Sequence, residues 1–202
     1  MASQSSVCIV SCSVLKGELR QLRAEGKLDA ELVFVSKNFH VDYTQLESNL
    51  RRMLVHTKNR FNGKIVLLYG DLCLGQDGEM EKLAQEHGVV KVDALNCIDC
   101  QLGGRGKSLE LNPEHNLMFM GPGMIEFFAD MKRSLKQQGI DETAIRGLFS
   151  GIKGIVLLDT CGGKEKLLNA LKEIDISLEV LETKEGGSDN VLRVVLDAVE
   201  RT

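Results

Sequence analysis

The sequence predicts an α/β protein. Its expected core is an open, mainly parallel sheet with helices on both faces, a Rossmann-like three-layer sandwich forming one domain over residues 1–202. Two observations predict this. Short runs that are apolar on both faces alternate along the chain with amphipathic stretches at helical spacing. Strands buried on both sides of a parallel sheet read as such continuous apolar runs. Alternation of strand and helix then favours right-handed crossovers in one open sheet. A length of 202 residues suits one well-buried core and would crowd two full domains.

The elements follow in order. Residues 7–10 (Val-Cys-Ile-Val) and 31–35 (Glu-Leu-Val-Phe-Val) are the first two predicted strands. Residues 43–61 then place Leu46, Leu50, Met53 and Leu54 at helical spacing. Residues 64–69 are a third strand, 78–87 a short helix and 89–92 a weaker fourth strand. A fifth strand over 116–120 precedes a helix over 124–138 that carries Phe127, Phe128, Met131 and Leu135. Residues 154–158 form a strong sixth strand, 164–172 a helix, and 177–181 the last strand. A final helix over 189–201 can be capped by Ser188 or Asp189. No internal repeat or linker interrupts the pattern, and Gly186-Gly187-Ser188 reads as a strand-to-helix loop.

Composition narrows the function. Apolar residues make up 43% and charged residues 27%, as in ordinary soluble domains. The net charge is −4 and lysines and arginines are interspersed with acids, so nucleic acid is not an expected partner. No run of about 18 apolar residues predicts a membrane span. The stretch over residues 1–14 lacks a basic leader and reads as a first buried strand, not a signal peptide. The expected location is the cytoplasm, where thiols stay reduced.

Six cysteines in a reducing compartment need an explanation other than disulfides. Cys8 lies inside the first strand and reads as core packing. The other five lie just beyond predicted strands: Cys12 after the first, Cys73 after the third, Cys97 and Cys100 after the fourth, Cys161 after the sixth. His40 follows the second strand in the same way. In a parallel sheet these carboxyl ends share one edge, where ligands bind. The expectation is convergence of Cys12, Cys73, Cys97 and Cys100 on one metal ion or iron–sulfur cluster, with His40 or Cys161 as substitutes.

Four thiolates suffice for a 4Fe-4S cubane or a closed zinc site. The spacing Cys97-x-x-Cys100, read as a polar loop, suits two thiolates on one metal. It also occurs in redox dithiols. Gly70 and Gly75 around Cys73, and Gly103 after Cys100, are expected to let a bulky cofactor approach the backbone. A cysteine enzyme is the alternative, a thiol-dependent transferase or redox enzyme with Cys100 or Cys73 as nucleophile and His40 as base.

Other motifs are weaker. Gly162-Gly163-Lys164 is followed by Glu165, so it fails the full phosphate-loop pattern. The segment Gly103-Gly104-Arg105-Gly106-Lys107-Ser108 reads as a loop over the site in preference to an anion cradle. Gly121-Pro122-Gly123 is a strand-to-helix turn. No G-x-S-x-G elbow supports a serine hydrolase.

An ordered set of short motifs carries a family resemblance: Cys12 with Leu15 and Glu18, Phe39-His40 leading to Leu46 and Leu50, Tyr69-Gly70-x-x-Cys73, and Asp99-Cys100-Gln101-Leu102-Gly103. The chain resembles a "domain of unknown function" family of anaerobic microbes, often encoded beside corrinoid-dependent methyltransferases. The resemblance implies an α/β fold and a shared Cys12, His40, Cys73 and Cys100 constellation. It implies a role in anaerobic one-carbon or corrinoid metabolism, through electron delivery, cofactor insertion or methyl-group handling. A corrinoid is thereby an expected ligand, a corrinoid protein or methyltransferase an expected partner, and a homo-oligomer an expected assembly. Ile98 stands where the family pattern has a histidine, Cys97 is an extra thiol, and the family's tryptophan after the turn near Gly123 is missing. The added thiolate favours zinc or iron–sulfur over other centres.

Overall fold

The computed structural model describes residues 6–201, so residues 1–5 of the N-terminal stretch lie outside the described residues. The first half runs β1 (Val7–Cys12), α1 (Lys16–Ala24), β2 (Glu31–Val35), α2 (Tyr43–Arg60), β3 (Lys64–Leu68), α3 (Glu79–Glu86) and β4 (Val90–Lys91). Two short helices follow, α4 (Cys97–Leu102) and α5 (Lys107–Leu111). The second half runs β5 (Leu117–Met120), α6 (Pro122–Gln137), α7 (Glu142–Gly147), β6 (Gly154–Asp159), α8 (Lys164–Ile174), β7 (Val180–Glu185) and α9 (Ser188–Glu200).

Every pairing between these strands is parallel, as the doubly apolar runs predict. The strands divide into two sheets, ordered β2-β1-β3-β4 and β5-β6-β7, where a single sheet was expected. The physical reason lies in β4 and α4. The β4 strand is two residues long, and α4 lays Ile98 and Leu102 against Phe119, Val156 and Leu158 on one face of the second sheet.

Alternation of side chains across each strand builds the layers. On one face of the first sheet Cys8 and Val10 pack against Leu46, Leu50 and Leu54 of α2 and Met80 and Leu83 of α3. On the other face Ile9, Val66 and Leu68 meet Leu19 and Leu22 of α1 and Val191, Val194 and Val195 of α9. Helix α9 therefore leaves the second sheet and packs beside α1 on the first. Ile155 and Leu157 of the second sheet pack against Ile125 of α6, Ile145 of α7 and Leu171 and Ile174 of α8.

Three local differences from the sequence reading have physical causes. The last strand begins at Val180 and not at residue 177, because Asp175 and Ser177 adopt positive φ (47° and 60°) and break extended backbone there. Cys97 and Cys100 belong to the first turns of a helix and not to a loop, because the Asn96 side chain accepts the Asp99 N–H at 3.0 Å and caps α4. Helices α1, α5 and α7 are additional to those predicted; α1 is carried by Leu19 and Leu22, both fully buried.

Candidate functional site

Strand ends place Cys12 and Cys73, and helix α4 places Cys97 and Cys100. Strand β1 ends on Cys12, 2% exposed, whose thiol accepts the Val14 N–H at 3.4 Å and caps a short turn over Ser13–Leu15. Beyond β3, Tyr69 and Gly70 lead into a turn over Asp71–Cys73 that buries Cys73. A Cβ on Gly70 would collide with the backbone of Leu95 and Asn96, so a glycine is required where this turn meets the entry to α4. Cys97 and Cys100, three residues apart, share one face of α4. His40 closes in from the turn over Lys37–Val41 after β2.

These residues come together. His40 Nε2 lies 3.2 Å from Cys12 Sγ. The His40 ring stacks on Tyr69 with centroids 6.0 Å apart and planes 10° off parallel. Cys73 lies within electrostatic reach of Cys12, Cys97 and Cys100, and Cys97 within reach of Cys12 and Cys100 as well. A cavity of about 190 Å³ opens here, with Cys73, Cys97 and His40 on one side and Val14, Met124 and Phe127 as apolar walls. Its α6 wall can approach because Gly123 leaves no Cβ to strike the Val14 carbonyl. As placed, no three His, Cys, Asp or Glu side chains among the described residues are grouped closely enough to hold a metal ion.

Burial dominates the electrostatics. It pushes the Cys12 thiol up to about 12 and Cys73 to about 11, and raises Cys97 and Cys100 further. It also lowers His40. At neutral pH the site therefore holds neutral thiols around a neutral imidazole. Lys37 near Cys12, and Lys91 near Cys73 and Cys100, pull the other way and favour thiolates.

The remaining candidates lie elsewhere. Cys8 is fully buried inside β1 among the α2-facing core residues. Cys161 is half-buried beside Thr160 Oγ1 (3.7 Å), and its sulfur sits 3.5 Å from where a Cβ on Gly17 would be. Gly75 and Gly103 have positive φ, 142° and 99°, and a Cβ there would strike Glu79 and Arg193. Gly70, Gly75 and Gly103 thus pack loops against protein, and none of them lines the cavity beside Cys73 and Cys97.

Two acids that the motifs did not single out for a role organise the surroundings. Asp99, fully buried between the two thiols of α4, accepts the N–H groups of Leu95, Gly106 and Ser108 and the Ser108 hydroxyl at 2.7–2.9 Å. The glycine-rich loop after α4 is thereby folded onto a carboxylate, which spends amides that an anion cradle would need. Glu18 of α1 is also fully buried. Its Oε1 accepts Gln101 Nε2 at 2.6 Å and Thr160 Oγ1 at 2.7 Å, joining α1, α4 and the end of β6. Glu18 Oε2 and Gln101 Oε1 have no partner.

Burial holds the Glu18 carboxyl above its ordinary value of 4.5. An acid raised in the folded state contributes stability that is complete below its unfolded value and is lost as pH rises through the folded one. Glu18→Gln should remove that decline. In urea melts from pH 4 to pH 8 the stability difference should move steadily in the variant's favour; a difference constant with pH would contradict the assignment.

The molecule is a parallel α/β protein with a small cavity lined by Cys73, Cys97 and His40 beyond the strand ends of its first sheet. The chain belongs to a family described as "Protein of unknown function (DUF1638)", whose model matches residues 34–191. No curated protein and no solved structure matches it. Among the described residues no helix is long and apolar enough to cross a membrane.

Proposed function

We propose that this chain is a metal- or iron–sulfur-cluster-binding accessory protein of anaerobic one-carbon or corrinoid metabolism. The observation that carries the reading is the gathering of Cys12, Cys73, Cys97 and Cys100, from positions spread over 89 residues (12 to 100), at one buried rim beside His40. Four thiols match the donor set of a 4Fe-4S cluster or a closed zinc site. Binding would replace four protons by a cation, which reverses the penalty that burial places on thiolates. Lys37 and Lys91, each also paired with carboxylates, would offset part of the remaining negative charge. Cys73 and Cys97 face the cavity and give a path of entry. When bound, a cluster would supply electron storage, and zinc a structural tie or Lewis acid. The one-carbon and corrinoid setting, with a corrinoid protein or methyltransferase as partner, rests on the family resemblance.

Raised thiols and a His40 that meets Cys12 give less support to Cys73 or Cys100 as a nucleophile with His40 as base. The test is purification without oxygen, followed by iron, sulfide and zinc analysis and a visible spectrum. About one zinc, or about four irons with matching sulfide, per chain is expected. Metal-free protein with every thiol titratable would end the reading.

A further inference from the structure

The second sheet ends on an open strand. Its order is β5-β6-β7, and among the described residues no strand pairs with the outer side of β7. A free strand edge presents unpaired N–H and C=O groups, a template on which another strand can form. The side chains of β7 match one such strand in particular. Glu182 stands beside Val156 and Lys184 beside Leu158 in the β6–β7 register, so both lie on the face of the sheet that α4 covers. Their charged ends meet at 2.7 Å, with Glu182 the more exposed. The backbone of Thr183 between them points outward. Just past the strand the Gly186 N–H turns inward to the Asp159 carbonyl at 3.1 Å, and peptide groups alternate sides along a strand.

Turned about a two-fold axis at Thr183, a second β7 runs antiparallel to the first and sets Thr183 opposite Thr183. The two threonines then exchange both N–H···O bonds. Glu182 of each copy falls opposite Lys184 of the other, and such cross-strand pairs attract. Two-fold registers centred on Glu182 or on Lys184 instead set that residue against its own like charge. The β7 bulge, opposite Ile155 and Val156, precedes this stretch. It lays Leu181 over Gly154 and leaves it 56% exposed, an apolar side chain that a second copy would cover. The outer strand β2 of the first sheet carries Glu31 as its one charge and has no such pair to exchange.

We propose that β7 is a dimer interface, at which a second copy of this chain adds its own β7 antiparallel and doubles the three-stranded sheet. The contact is isologous, so the Glu182–Lys184 pair is made twice. None of these residues lines the cavity beside Cys73 and Cys97, so the interface does not depend on what the thiols bind.

The test is sedimentation equilibrium of the whole chain over a dilution series, with circular dichroism to confirm folding. Wild type should be a dimer that dissociates on dilution. Glu182→Lys alone and Lys184→Glu alone each turn both cross-strand pairs into like-charge ones. Each should weaken the dimer about tenfold or more. Mixed together, the two single variants should form a heterodimer as tight as the wild-type dimer, because each then opposes the other's charges. The double exchange Glu182→Lys with Lys184→Glu should restore self-association for the same reason. Wild type that stays monomeric at every concentration would overturn the interface. A dimer that survives both single changes would place the contact elsewhere, and single variants that fail to pair with each other would overturn the register.

Discussion

Cys73→Ser and Cys100→Ser are each expected to cut bound iron or zinc about a hundredfold or more, whereas Cys8→Ala leaves the metal content unchanged. Losing an outer-shell partner of a ligand already costs 10–100-fold in metal affinity, so losing a ligand itself should cost at least that. Serine keeps the size of cysteine but offers a hard oxygen where soft thiolate is wanted. The three positions are matched controls, since Cys8, Cys73 and Cys100 are all buried yet only the last two stand at the rim. Elemental analysis of anaerobically prepared variants, with circular dichroism to confirm folding, checks the result. Equal metal in all three would show that the sulfurs only pack.

The second large effect concerns stability. Asp99→Ala should destabilise the protein by about 3–5 kcal/mol, because it strands three backbone N–H groups and a hydroxyl that have only this carboxylate to meet. Against a typical total of about 5–15 kcal/mol, that is a large fraction. The midpoint of urea denaturation is the measure. Asp99→Asn should fall between, since it keeps one acceptor oxygen and turns an NH₂ group towards N–H donors. Because Asp99 lies between Cys97 and Cys100 on α4, both variants should also lose metal more readily than wild type. A change below about 1 kcal/mol for Asp99→Ala would show that the loop has other acceptors.

How much of this was legible depends on the kind of information involved. The runs at residues 32–35, 65–68 and 155–158 are apolar throughout, so their parallel pairing could be read directly. Placing Cys12, His40 and Cys73 beyond strand ends followed from that reading, because a parallel sheet forces one common edge. The split into two sheets was not legible, since nothing in the strand sequences states which strand is a neighbour of which. The helix at Cys97 was hidden because its cap, Asn96, acts through a side-chain hydrogen bond that spacing does not reveal. Glu18 and Asp99 stood out only as members of the resemblance motifs, with no hydrogen-bonding role legible for either. Only three-dimensional closure shows that each is fully buried and what it accepts.

By itself the sequence determined the parallel α/β architecture and placed Cys12, His40 and Cys73 after its strands. Side-chain period is a local property, and it suffices to mark the doubly apolar strands that such a sheet uses. The tertiary structure decided the rest: that His40 meets Cys12, that Gly103–Ser108 folds onto Asp99, and that Glu18 ties the first sheet's helix to the second sheet. It alone set the Tyr69 ring against His40 and its hydroxyl beside the Cys12 thiol. These are contacts between residues 28 to 142 positions apart, except within the α4 loop. Such contacts depend on where separate elements pack, which no local pattern encodes.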